Sequence, residues 1–246
     1  MLEAAALHDA RDRAELGRAL LEGPHLLAEA LAAGIRVESV FALAADLASA
    51  EAARACGADL VVVDERGLRR LATTEHPQSP VAVMVIPPGA PPAGGHLLVA
   101  WGVSDPGNVG SLIRSAAAFG MGFAAGPGTA DPWAPKVLRS SAGGHFRAGV
   151  ARVGTAGALR SGERRLVATV VRGGVLPSAL PPGPLALLVG DEARGLPAEV
   201  VAACDLAVTI PMPGGTDSLN AAVAGAILAY EIAGRDGRTS ASDSVR

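Results

Sequence analysis

Apolar and polar residues alternate at helical spacing through residues 2–33, broken at Gly23-Pro24, where Pro24 suits the first turn of a second helix. A short apolar run at 37–43, a helical stretch at 46–56, a strand at 59–63, a further short helix and a strand at 81–86 complete an α/β unit. Pro87 to Gly95 carries four prolines and three glycines that exclude a regular helix or a central strand, which marks a linker and a domain boundary. The pattern then restarts. It predicts strands at 97–101, 123–126, 148–152, 165–170, 185–189 and 206–210. Helical segments fall at 108–120, 134–142, 154–160, 197–203 and 218–233. Short apolar strands alternating with helices imply an α/β fold with a mostly parallel sheet covered on both faces. The stretch from Gly234 to Arg246 is polar and aperiodic, and reads as a frayed tail.

The composition narrows the possible partners. Aromatic residues are 3% of the 246 residues, too few for the stacking platforms of single-strand binders. The net charge of -3 argues mildly against a nucleic-acid partner, but the distribution is uneven. Residues 1–100 hold 8 basic and 13 acidic side chains, whereas Lys136 to Arg172 holds eight basic against Glu163 alone, a balance of +7. Cys56 and Cys204 lie among small apolar residues and support neither a disulfide framework nor a zinc site. His25, His76, His96 and His145 have no metal-ligand spacing and read as surface or packing residues. With no charged-then-apolar leader and no membrane-length apolar run, a cytoplasmic protein is expected.

Three loops carry candidate chemistry. The first, Ser104 to Gly110, joins a strand to a helix that Asn108 can cap, and Arg114 lies about one turn further on, where a cation gains nothing from the helix dipole. In the second, Leu187 to Pro197, an apolar strand runs into Gly190 and the acidic pair Asp191-Glu192, at the place where parallel sheets bind ligands. In the third, Ile210 to Asn220, Pro211 and Pro213 force the chain out of the sheet, and Asp217 or Ser218 can cap the next helix. None fits a dinucleotide or nucleoside-triphosphate fingerprint.

In order, these loops resemble the signature motifs of the SpoU/TrmH class of RNA ribose methyltransferases in the SPOUT superfamily. The matches are Asn108, Gly110, Arg114, Ser115 and Ala116, then Gly190, Glu192 and Gly195-Leu196, then Ile210-Pro211-Met212 with Ser218-Leu219-Asn220. Lys136 to Gly143 resembles the intervening Lys-x-x-Arg-x-Ser-x-Gly segment, and Leu21 to Ala30 is similar to an L30e-like RNA-gripping domain. Two positions depart from the pattern, Asp191 where Asn is usual and Ala221 where Val is common.

The resemblance implies an L30e-like domain over 1–88, a linker over 89–96, a trefoil-knotted SPOUT domain over 97–233 and a tail over 234–246. It implies transfer of a methyl group from S-adenosylmethionine to a ribose 2'-hydroxyl of RNA by a homodimer joined through the knot, without membrane or metal. Arg114 would be the central catalytic residue, with Asn108, Glu192, Ser218 and Asn220 around it. Thr169, Gly190, Ile210, Met212 and Leu219 would hold the cofactor, and Arg139, Ser141, Glu22 and His25 would meet RNA. Ribosomal RNA is the expected substrate. Transfer RNA and a non-catalytic RNA-binding protein of the same fold are the alternatives.

Overall fold

The apolar runs of the first 88 residues do form a sheet, with one strand where the sequence pattern predicts helix. In the computed structural model, which describes residues 1–235, the order is α1 (Leu2–Ala6), α2 (Ala10–Leu16), β1 (Arg18–Glu22), α3 (Pro24–Ala32), β2 (Val37–Ala42), α4 (Leu47–Ala55), β3 (Asp59–Val62), α5 (Glu65–Leu71) and β4 (Val81–Val85). Gly17 ends α2 in the left-handed conformation (φ 64°), and β1 then pairs antiparallel with β4 along its whole length. Ala, Leu and Glu favour helix in isolation, but burial of Leu20 and Leu21 in the sheet outweighs that local preference. The sheet order is β1-β4-β2-β3, with β2 antiparallel to β4 and parallel to β3.

The second half follows the predicted pattern closely. It runs β5 (Leu97–Trp101), α6 (Pro106–Ala118), β6 (Gly122–Ala125), α7 (Pro135–Ser141), α8 (His145–Ala148), β7 (Val150–Arg152), β8 (Arg165–Thr169), β9 (Leu185–Gly190), α9 (Ala198–Ala202), β10 (Leu206–Val208) and α10 (Ala221–Arg235). The six strands are all parallel, in the order β10-β8-β9-β5-β6-β7. Every residue of β5, β6 and β9 is buried, as parallel strands covered on both faces require. α6 and α10 pack on one face, where a Cβ on Gly225 would overlap Leu112. Leu97, Val99 and Trp101 turn to the other face and join Leu159 and Val200. The helix predicted at 154–160 is a single tight turn, Ala156–Leu159. The predicted tail from residue 236 onward lies outside the described residues, and Gly234 and Arg235 complete α10.

Contacts divide the chain at Pro88/Gly89, but they also assign Asp131–Arg147 to the first unit, not to the second as the sequence pattern predicts. The cause is a set of buried polar ties. Arg13, 4% exposed, pairs with Asp131 at 2.5 Å and also donates to the carbonyls of Leu7 and His8. Arg139 donates to Thr73 Oγ1 at 2.6 Å and lies 3.4 Å from the buried Glu22 carboxylate. The expected linker is likewise a fixed strap in the second unit: Arg164, 3% exposed, donates to the carbonyls of Pro92, Gly94 and Gly95. Part of the +7 stretch therefore serves internal structure.

Candidate active site

The level at which the strands end decides what meets what. Trp101 of β5 lies opposite Gly190 of β9, so the first and second loops leave neighbouring strands side by side. The third loop follows β10, next to β8 on the same sheet. All three emerge at the carboxyl edge of the parallel strands, where α/β sheets bind ligands.

The first loop differs from its sequence reading in one informative way. Asp105, not Asn108, caps α6: its Oδ1 accepts from the Asn108 N–H at 2.8 Å, and Pro106 takes the first helical position. Asn108 is thereby inside the first turn, and its side chain is free to reach out. Its Nδ2 donates to Glu192 Oε1, and its Oδ1 accepts from Asn220 Nδ2 at 3.0 Å. Asn220 Nδ2 also lies 3.3 Å from Glu192 Oε1.

Glu192 and Asn220 together cap α10, which starts at Ala221 and not at 218 as predicted. Asn220 Oδ1 accepts from the N–H groups of Ala222 and Val223, and Glu192 Oε1 accepts from Ala221 N–H. A carboxylate is favoured there by the helix dipole. Asp217 and Ser218 are exposed and take no part in the cap. Asn108, Glu192 and Asn220 thus form one hydrogen-bonded cluster that pins the three loops to each other.

Beside this cluster lies a cleft of about 270 Å³. Thr169, Gly190, Ile210, Met212 and Leu219 all line it, together with Glu192 and Ser218. Val189, Val208, Ala224 and Leu228 give it an apolar wall, as expected of a small-molecule site. Among the described residues, no hydrogen bond uses the main-chain groups of Ile210 or Leu219, so both can serve a ligand. Gly190 is required by close approach: a Cβ there would lie 2.5 Å from Leu196 N and 2.7 Å from Gly195 O. The lining suits a ligand with both a flat apolar part and main-chain hydrogen-bonding groups.

Asp191 accepts from the N–H groups of Ala193 and Arg194 at 3.1 and 3.2 Å. These bonds, that from Ala193 foremost, hold its carboxyl below the usual carboxylate range. An Asn oxygen could accept the same two bonds, so the departure at this position preserves the loop. Arg114 is exposed and makes no hydrogen bond or ion pair among the described residues.

The four residues expected to meet RNA separate by burial, all within the first unit. His25 is exposed, and Arg139 is half-buried. Glu22 is 7% exposed, its carboxylate taking donors from Thr73, Thr74, Gln78 and Arg139. Ser141 is 1% exposed and bonded to His145 Nδ1 at 2.6 Å. Glu22 and Ser141 are buried and their side chains are satisfied within the unit, where they act as internal supports. Among the described residues, no group of three or more His, Cys, Asp or Glu could hold a metal ion, and no helix is long and apolar enough to cross a membrane.

A six-stranded parallel sheet whose three loops meet in one cluster beside a cleft defines an α/β protein with a ligand-binding crevice at the carboxyl edge of its strands. Residues 95–230 match the SpoU rRNA Methylase family, and residues 2–82 match the MRM3-like substrate binding domain. The chain belongs to the SpoU rRNA Methylase family. It is 32% identical over 233 residues to the 23S rRNA (guanosine(2553)-2'-O)-methyltransferase RlmP of Bacillus subtilis, covering 93% of each chain. Its structure is similar to the AdoMet-bound rRNA methyltransferase from Sinorhizobium meliloti, with TM-score 0.84, 28% identity and coverage of 96% of this chain and 94% of that one. The SpoU methyltransferase AviRb from Streptomyces viridochromogenes, in complex with AdoMet, gives TM-score 0.85 at 27% identity, with 97% of each chain covered.

Proposed function

We propose that this protein transfers a methyl group from S-adenosylmethionine to a ribose 2'-hydroxyl of RNA, with ribosomal RNA as the substrate class. The observation that carries the reading is the Asn108–Glu192–Asn220 cluster set against the cleft that holds all five expected cofactor positions. Family membership and the rRNA methyltransferases it resembles support the same reading.

In this reading Thr169, Gly190, Ile210, Met212 and Leu219 hold S-adenosylmethionine, largely through main-chain groups. The sulfonium of that cofactor supplies an electrophilic methyl group, so attack by an aligned 2'-oxygen requires only orientation and proton loss. Arg114 acts on the 2'-oxygen. Its guanidinium is a planar cation and stabilises the developing alkoxide as a fixed positive charge. Its lack of a partner among the described residues leaves that charge uncommitted. Asn108 and Glu192 hold the first and second loops in register, while Ser218 and Asn220 set the third against the substrate.

Three structural elements complete the proposal. The chain from β9 to α10 forms the trefoil knot of the superfamily, and the first unit is an L30e-like domain that holds RNA through groups that reach its surface, the exposed His25 and the half-buried Arg139. Two copies pair about a twofold axis. Exposed Val223, Ile227 and Tyr230 recur at helical spacing along α10 and offer an apolar seam for that pairing.

The proposal is tested with methyl-labelled S-adenosylmethionine and total ribosomal RNA. Digestion of the labelled RNA should release a 2'-O-methylnucleoside. Label on a base, on transfer RNA alone, or on no RNA would refute it.

A further inference from the structure

A second groove, of about 820 Å³, lies at the carboxyl ends of β5, β6 and β7 and is larger than the cofactor cleft. The loop after β9 forms the wall between them, since Asp191, Arg194 and Gly195 line both. On its far side the groove is bounded by Gly128, Thr155 and Glu199. Nothing in the cluster of Asn108, Glu192 and Asn220 uses it.

Trp101 is the telling residue. It closes β5, is 7% exposed, packs against the core through Val99 and Leu188, and lines the groove. Its benzo edge lies on Gly126, where a Cβ would come 2.7 Å from Cδ2 and 2.9 Å from Cζ3, so the ring is fixed by close backbone approach. Its indole N–H has no partner among the described residues, yet no side-chain nitrogen or oxygen among them is sealed without a partner. The N–H therefore faces accessible space, and the groove is the space this ring lines. A buried tryptophan usually finds an acceptor for that proton. Here no acceptor among the described residues meets it, which leaves the N–H open to a ligand in the groove.

Two further groups in the groove have complementary chemistry. Arg194 is 79% exposed at its side chain and only loosely held, 3.6 Å from Asp191. Glu199 is exposed and engaged by no side-chain donor among the described residues. The groove thus offers one fixed N–H donor, one carboxylate acceptor and one exposed guanidinium.

We propose that this groove binds a nucleotide of the substrate RNA next to the one that is methylated, with its base edge on Trp101 Nε1 and Glu199 and its phosphate on Arg194. The proposal rests on the reading of the chain as an RNA methyltransferase. An unpaired nucleotide fits, because single-stranded bases present their edges to side chains and Arg takes phosphate in a planar fork. The shared wall then links the two sites: Asp191 and Arg194 stand at the boundary between nucleotide and cofactor. A guanine base presents both an acceptor for the indole and paired N–H donors for a carboxylate, so GMP is the probe.

The test uses isotope-labelled full-length protein, whose two tryptophans give two indole N–H resonances, assigned with Trp101→Phe. GMP should shift the Trp101 resonance saturably, with half-saturation at about 1 mM, and leave Trp133 unmoved. Arg194→Ala and Glu199→Gln, both surface changes, should each weaken that response about fivefold or more. The affinity for S-adenosylmethionine, measured by calorimetry, should stay unchanged in Glu199→Gln. A Trp101 resonance that ignores GMP overturns the proposal, as does a GMP response that S-adenosylmethionine abolishes by competition. Because GMP is titrated with and without the cofactor, failure to bind S-adenosylmethionine refutes the transferase reading alone and leaves the groove result standing.

Discussion

The side-chain amide of Asn220 donates to Asn108 Oδ1 at 3.0 Å, joining residues 112 positions apart. Both also meet Glu192 Oε1, so a single carboxylate oxygen orders the two amides. Asn108→Asp should place a second carboxylate against Glu192 and remove the donor. Methyl transfer should fall about 100-fold, the cost of a misplacement near 1 Å, and thermal stability should drop more than in Asn108→Ala. Initial rates with labelled cofactor and a thermal melt measure both; an Asp variant as active as the parent contradicts this role.

Gly190 lets the second loop fold back against its own backbone at Gly195 and Leu196. Gly190→Ala should push that loop off β9, with roughly 1–3 kcal/mol of strain expressed at the cofactor cleft. Calorimetry should record S-adenosylmethionine affinity lower by at least about 10-fold. Unaltered affinity would show that the cleft does not hold the cofactor at Gly190.

Arg114 stands apart from the cluster and from the cleft lining. Arg114→Ala should abolish transfer while cofactor affinity and oligomeric state remain, because the residue lies outside the cleft lining and removal of an exposed side chain leaves the fold intact. Arg114→Lys keeps the charge but not the planar fork, and should retain a small fraction of the activity, down by about 100-fold or more. Loss of cofactor binding in Arg114→Ala, or near-normal turnover, would remove the residue from its assigned place.

His145 should make the first unit sensitive to acid. Its ring is buried against Trp133, with centroids 5.1 Å apart; Nε2 donates to Pro132 O, and Nδ1 then accepts from the Ser141 hydroxyl. Burial pushes its pKa down from 6.5 to about 4. Unfolding therefore takes up a proton between these values. Stability is complete above pH 6.5 and declines as the pH falls to about 4, by roughly 3 kcal/mol. Urea titrations followed by Trp133 fluorescence should show this slope in the parent and a flatter one in His145→Asn. Equal slopes would exclude His145 as its origin.

Much of the second unit is legible in the sequence because its strands are short apolar runs separated by strong turn residues. The run Leu97–Trp101 is strand for its full predicted span. β1 was hidden because Ala19-Leu20-Leu21-Glu22 has a helical composition, and only pairing with Val81–Val85 some 60 residues later makes it a strand. The cap of α6 was readable in the Asp105-Pro106 pair, whereas the release of Asn108 that follows from it needs the fold. Neither the inward turn of Glu22 and Ser141 nor the unpartnered indole of Trp101 has a sequence signal, since each depends on which distant residues surround it. Pairing of Arg13 with Asp131, which assigns a 17-residue segment to the first unit, is invisible for the same reason.

The central claim is methylation of a ribose in ribosomal RNA, and the most direct measurement is a transcriptome-wide map of ribose 2'-O-methylation in cells with and without the gene. One methylated position in ribosomal RNA should vanish in the deletion and return when the parent protein is restored, but not with Arg114→Ala. A ribosomal map identical in the two strains, or a lost methyl group found only in transfer RNA, would contradict it.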